Sequence, residues 1–423
     1  MLMTYGDITS FLVLPAKTNF LLFVFYAFPW TMPPGRIRFM LRQVVLASLA
    51  LLAQLGIALI DLPTINLANA ADIPPTLGWF QIPGTQLENV CPPDDFGGSG
   101  YPFAGNCAAV TEAWNSAVMD TIRNRLIIWG GGHSDYQGNE LYTLSLDSLS
   151  IQRITDPGLP LAGSECSEAI AGGTQPNSRH TYDGIAYIAN VDRMFVFGGS
   201  LTSCGFMSRG TWTFNFSTST WQNMNPSGPI PNADPGVVTA YDPNTAKVFL
   251  HDSSYLYAYT FGTNSYQRLS GSNPIDYHSS AVIDPKRKKF VIVGSGSVYI
   301  YDISAGSSYA KQTLNTSGGG TIVNSDYPGL AYDPISDRIV GWNGGNTVYS
   351  LNLDMGTWTA ASYSGGPGTA LPNGTYDRWS YSPVSGVFVV VNSISNNAYT
   401  LRLTTGTPDR TPPAAPTGLR LQY

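Results

Sequence analysis

The chain has 423 residues, of which only 12% are charged, with 44 glycines, 30 prolines and 24 tyrosines. That composition suits many short strands joined by tight turns and argues against long solvent-facing helices. A net charge of −6 provides no basic footprint, so nucleic acid is not an expected partner.

The first stretch reads as an address. Arg36, Arg38 and Arg42 precede an apolar run from Val44 to Ile60, and Ala68-Asn69-Ala70 supplies the small-x-small pattern of a signal-peptidase site. Residues 1–70 are therefore a predicted leader, cleaved after Ala70, and the product is secreted or displayed at the cell surface without a membrane anchor. A second apolar stretch, Phe20 to Phe28, lies ahead of the arginines, so either translation starts near Met32 or Met40 or the leader carries two hydrophobic segments. The competing reading of Val44 to Ile60 as an anchor suffers from its length, which is short for a span. Export makes two disulfides the natural reading of Cys91, Cys107, Cys166 and Cys204. No CxxC pair is present, and no metal or cofactor is expected.

Residues 71–405 carry a repeat. WNSAVMD ends at Asp120, HTYD at Asp183, VVTAYDP at Asp242, SSAVIDP at Asp284, GLAYDP at Asp333 and a degenerate RWSYSP at Ser382. The spacing, roughly 40 to 60 residues, is that of propeller blades. Asp-Pro or Asp-Gly between two β runs is turn chemistry, so each copy begins as a hairpin. Arg125, Lys247, Lys289 and Arg338 open the second strand, and Arg193 does so after an insertion. The third strand carries Tyr142, Trp212, Tyr257, Tyr299, Tyr349 or Tyr399; the fourth carries Ile151, Trp221, Tyr266 or Trp358, with Tyr309 one place late. The sixth copy lacks a fourth strand, and Gly78-Trp79-Phe80-Gln81-Ile82 resembles the missing one. A ring closed by its own N-terminal strand leaves no open edge. Residues 406–423 are Pro-rich linker, and TPPAAPTGLRL resembles the opening of a fibronectin type III domain.

Glycines at the end of the second strand (Gly130 to Gly132, Gly198-Gly199, Gly344-Gly345), then an aromatic, then Trp, resemble the kelch repeat. The array looks like the kelch-type β-propeller of the galactose-oxidase central-domain class, which implies an all-β fold of six four-stranded blades, or seven if a long loop holds further strands. In such blades the loop leading into the inner strand and the loop between the second and third strands share one face. That face collects His133, Asp135, Tyr136, Arg179, His180, Tyr277, His278, Tyr327, Arg378 and Trp379 as ligand-binding candidates, with Trp114, Asn115, Asp234, Asp276, Asp326, Asn139 and Glu140 around them. Both cysteine pairs reach the same face, which favours Cys91–Cys107 and Cys166–Cys204 over the other two connectivities. His251 and the strand aromatics are expected to be structural, and the run Lys286 to Lys289 a solvated turn on the opposite face.

Two functions fit this face: a monomeric extracellular recognition module for a glycan or protein, or a polysaccharide lyase or hydrolase using His133, His180 or His278 as base and Tyr136, Tyr277 or Tyr327 as proton donor. A copper radical oxidase, the third reading, needs two His and two Tyr ligands with one Tyr cross-linked to Cys, which the four dispersed histidines fit poorly. A His and a Tyr close together with an arginine nearby would mark the acid–base reading.

Overall fold

A computed structural model describes residues 72–161, 166–170 and 172–405. The chain divides into Met1–Ala68 and Asn69–Tyr423, and the fold described lies in the second unit. The predicted leader and the Pro-rich tail fall outside the described residues.

The fold is a six-bladed β-propeller. Blade 1 is Ala117–Asp120, Arg125–Ile128, Tyr142–Ser145 and Ser150–Arg153; blade 2 is Ile185–Ile188, Arg193–Phe197, Thr211–Asn215 and Thr220–Asn223. Blade 3 runs from Val237–Asp242 to Ser265–Arg268, blade 4 from Ser280–Asp284 to Lys311–Thr313, and blade 5 from Gly329–Asp333 to Thr357–Ser362. Blade 6 contains Trp379–Ser382, Val387–Val390 and Tyr399–Arg402, and Gly78–Gln81 completes it, with Trp79 opposite Leu401 in an antiparallel pair. All six sheets are antiparallel meanders, and their first strands touch in a closed cycle around the axis.

Strand composition follows from this geometry. Successive side chains alternate across a strand, and every blade has a neighbour on each side. In blade 1, Leu126 and Ile128 pack toward blade 6 while Ile127 packs toward blade 2. Both faces are therefore buried, which is why the second strands read as unbroken apolar runs. An apolar cluster fills each of the interfaces between neighbouring blades. Trp79 reaches across its own interface to Trp342, Trp379 and Tyr399, with ring centroids 6.3, 5.8 and 6.4 Å away.

Blade 2 departs from the expected register. Its inner strand is Ile185–Ile188 and turns at Ala189–Val191, so Asp183 lies before that strand instead of ending it. The TYD sequence imitates the strand-ending pattern, whereas the apolar IAYI that follows is what the interface requires. Tyr309 likewise precedes its outer strand, Lys311–Thr313. The basic hairpin of blade 4 is not simply solvated: Arg287 joins Asp284 (2.8 Å), Asp337 (2.7 Å) and Asp354 (2.7 Å), tying blade 4 to blade 5. Arg123 joins Asp120 and Asp192 in the same way between blades 1 and 2.

Both disulfides form as Cys91–Cys107 and Cys166–Cys204, with Cα separations of 6.3 and 5.3 Å. Among the described residues no helix is long and apolar enough to cross a membrane.

Candidate functional site

The face that holds the lead-in loops is built from two loop systems. In the first, Gly131 donates its N–H to the Arg179 carbonyl at 3.0 Å, bringing the blade 1 loop against blade 2. Gly132 makes this approach feasible: its φ is +77°, and a Cβ there would fall 2.0 Å from the His180 nitrogen. A two-stranded ribbon, Arg179–His180 with Ser200–Leu201, fixes the other side, and Cys166–Cys204 anchors its turn. His133 follows with a φ of +47° and stands over His180, ring centroids 5.7 Å apart.

His180 is buried, and its Nε2 lies 2.6 Å from Asp135 Oδ2. Since an ionised carboxylate only accepts, Nε2 carries the proton. Burial nevertheless pulls the His180 pKa below the usual imidazole value, outweighing the pull of Asp135 in the opposite direction. The Trp114 ring covers the same imidazole at 5.3 Å.

The second system belongs to blades 4, 5 and 6. Tyr277 and His278 have ring centroids 3.6 Å apart, and His278 lies 5.1 Å from Tyr327, which lies 5.2 Å from Tyr376. Asp276 Oδ1 holds His278 Nδ1 at 2.7 Å. The two systems meet through the blade 6 loop, where Thr375 donates its N–H to the Tyr327 carbonyl at 2.9 Å and Asp377 donates its N–H to Ser116 Oγ of the blade 1 lead-in at 3.2 Å. Burial pushes the Tyr182 phenol up to about 12, and Tyr327 rises for the same reason, so both remain neutral donors.

These rings repeat by position. Trp114, Tyr182, Tyr277 and Tyr376 each stand three residues before an inner strand, and Tyr327 stands two before. Blade 3 has Asp234 at this place, and its Gly236 leaves room for Tyr277: a Cβ on Gly236 would come within 2.7 Å of that residue. Tyr182, Tyr327 and Tyr376 all adopt left-handed backbone conformations, with φ of +47°, +50° and +48°. Such values are uncommon for bulky residues and mark positions the surrounding structure holds in place. Asp135, Asp276 and Asp326 are exposed on the same face.

The arginines behave otherwise. Arg179 is fully buried, pairing with Glu168 at 3.0 Å and donating to the Asn177, Glu168 and Gly198 carbonyls and to Ser208. Burial favours the neutral form of Glu168, but Arg179, Ser208 and Trp212 together hold its pKa below the ordinary value. Arg378, also fully buried, donates to the carbonyls of Asn115, Val391, Asn392 and Gly374. Burial lowers its pKa to about 10.

Tyr136 is buried as well. Its hydroxyl and that of Tyr142 both donate to Glu140 Oε1 at 2.5 Å. Burial raises the Glu140 pKa, and the two phenols only partly offset that. Trp379 packs in the core against Phe388, ring centroids 4.8 Å apart. His251 is buried, its Nε2 is 2.8 Å from the Tyr301 hydroxyl, and burial lowers its pKa to about 3.

Of the ten candidate residues, His133, Asp135, His180, Tyr277, His278 and Tyr327 come together at the mouth, with His180 and Tyr327 buried beneath the exposed Tyr277 and Asp135. Tyr136, Arg179, Arg378 and Trp379 have their polar atoms satisfied inside the protein. Sequence reasoning missed Tyr182 and Tyr376; the signal available for them was the aromatic recurring two or three residues before the inner strand in every blade but the third. All four cysteines are in disulfides, which leaves none for a Tyr–Cys cross-link. Among the described residues, no three His, Cys, Asp or Glu side chains gather as a metal centre. A hollow lined by Gly97 to Tyr101, Gln137 and Leu159 to Leu161 contains no carboxylate, imidazole or cationic group. No protein family matches the chain, and no curated protein is significantly similar to it.

Proposed function

We propose that this protein is an extracellular recognition propeller, of the kelch type its repeat resembles, that binds a neutral glycan through the aromatic mouth of its funnel. The observation that carries the reading is the aromatic set Trp114, Tyr182, Tyr277 and Tyr327, drawn from four different blades, with Trp114 and Tyr182 against the His180 ring at 5.3 and 6.0 Å and Tyr277 6.3 Å from Tyr327. Flat aromatic faces flanked by carboxylates suit a sugar, whose C–H face stacks on a ring while its hydroxyls donate to Asp135, Asp276 or Asp326. The buried state of Arg179 and Arg378 supports a neutral ligand over a uronate, since neither guanidinium is free to clamp a carboxylate. The two disulfides agree with an exported protein.

A second reading, lyase or hydrolase chemistry, is favoured by one contact, the 2.6 Å pair of His180 and Asp135 beside exposed His133. It is weakened by the same burial of the arginines and of His180. A glycan-array measurement run beside an activity screen on neutral and uronate polymers tests both. Binding to neutral glycans without turnover supports recognition; chain cleavage abolished by His133→Ala supports the second reading.

A further inference from the structure

Beside the mouth, blade 1 carries the open hollow, with a volume of about 710 Å³. Three segments line it: Gly97 to Tyr101 from the loop leading into the inner strand, Gln137 from the loop between the second and third strands, and Leu159 to Leu161 from the connection to blade 2. All three leave their strands on the face that holds the mouth. One insert joins the two places. Asp135 is exposed at the mouth and Gln137, two residues later, lines the hollow, so at most about 7 Å of chain separates them. The lining is fixed in place. The Tyr101 hydroxyl accepts the Gln137 N–H at 3.1 Å, and its ring packs edge-on against buried Phe103, centroids 4.9 Å apart. Ser99 Oγ accepts the Tyr101 N–H at 3.3 Å and keeps its own proton to donate. The Gln137 carboxamide makes no hydrogen bond among the described residues.

We propose that this hollow is a second sugar subsite, which takes the residues of a neutral glycan that continue past the mouth over the His133 to Glu140 insert. Its volume lies within the roughly 300 to 1,000 Å³ of small-molecule sites, and its lining has their pattern of apolar walls with a few polar groups. The chemistry of the lining selects the class. A charged ligand would find no counter-ion there, and a wholly apolar one would cover the Gln137 carboxamide without pairing it. A sugar satisfies both conditions: its C–H face lies on Tyr101 and Pro160, while its hydroxyls, donors and acceptors at once, pair with Gln137 and Ser99. Two subsites engaged by one chain reinforce each other, so affinity grows with glycan length. The subsite rests on the glycan reading of the mouth, and it requires a chain long enough to reach Gln137.

The test is titration calorimetry of the full chain with the longest neutral oligosaccharide bound on a glycan array and with the fragments made by removing one sugar at a time. Affinity is expected to rise about tenfold or more from the shortest fragment that binds to the whole oligosaccharide. Ser99→Trp fills the hollow and should abolish that gain, with the affinity for the shortest fragment unchanged. Should Ser99→Trp fail to fold, Gln137→Ala removes the carboxamide and keeps the N–H that Tyr101 accepts. It should weaken the whole oligosaccharide about threefold or more. An affinity that does not grow with length, or a gain that survives both substitutions, overturns the subsite and leaves the mouth reading standing. Equal weakening of every fragment by Ser99→Trp does the same, because the damage would then lie at the mouth. A wild type that binds no array glycan overturns both.

Discussion

Arg378→Met separates a structural guanidinium from a ligand-binding one. The side chain joins four carbonyl oxygens, from Asn115 in the blade 1 loop, Gly374 in its own loop, and Val391 and Asn392 beyond the second strand of blade 6. Each acceptor stranded in the interior costs about 1 to 3 kcal/mol, although carbonyls tolerate partial satisfaction. Against that, methionine avoids burying a charge, a penalty visible in the depressed Arg378 pKa. The net expectation is a loss of about 2 to 4 kcal/mol. Equilibrium urea denaturation with an unchanged slope measures it. Arg378→Lys should recover only part, because a compact ammonium cannot span the four oxygens. A Met variant within about 0.5 kcal/mol of wild type, or one fully stable yet unable to bind glycan, would refute the reasoning.

Trp79→Ala should destabilise by about 2 to 3 kcal/mol, since the ring packs on Trp342, Trp379 and Tyr399 while remaining partly exposed. Faster hydrogen exchange over Tyr399–Arg402 would locate the damage at the closing strand, and unchanged exchange would deny that the strand holds the ring shut. Glu140 offers a pH test. Burial raises its pKa, so the folded state favours the protonated form. That stabilisation is fully present below the ordinary value of 4.5 and is lost as pH rises through the raised one. Glu140→Gln should flatten this part of a pH series of urea midpoints; a slope identical to wild type would contradict it.

The blades were legible because a strand-ending Asp, a turn and an apolar second strand recur in chain order, and because interfaces on both sides demand apolar residues at successive positions after the basic residue that opens most second strands. Blade 2 was misplaced for a local reason. Tyr182-Asp183 resembles the end of an inner strand, while its insertion moves the true turn to Ala189–Val191. The candidate site was half legible. His133, Asp135, Tyr277 and His278 follow from their loops, which the topology sends to one face. The arginines were not, because capping backbone carbonyls leaves no signature in sequence: Arg378 has the composition of a ligand clamp and the surroundings of a core residue. Tyr136 and Glu140 share that ambiguity, since the insert from His133 to Glu140 starts exposed and ends buried. Left-handed tyrosines become visible only once each inner strand's first residue is known.

The central claim is that the aromatic mouth binds glycan, and titration calorimetry of a neutral glycan selected from the array tests it most directly. Tyr277 is 46% exposed, so Tyr277→Ala should leave the fold intact, and Met355→Ala on the opposite face, 72% exposed, serves as the control. The account predicts affinity lower by about tenfold or more in Tyr277→Ala and unchanged in Met355→Ala. A wild-type protein that binds no glycan, or a Tyr277→Ala variant that binds as wild type does, would contradict it.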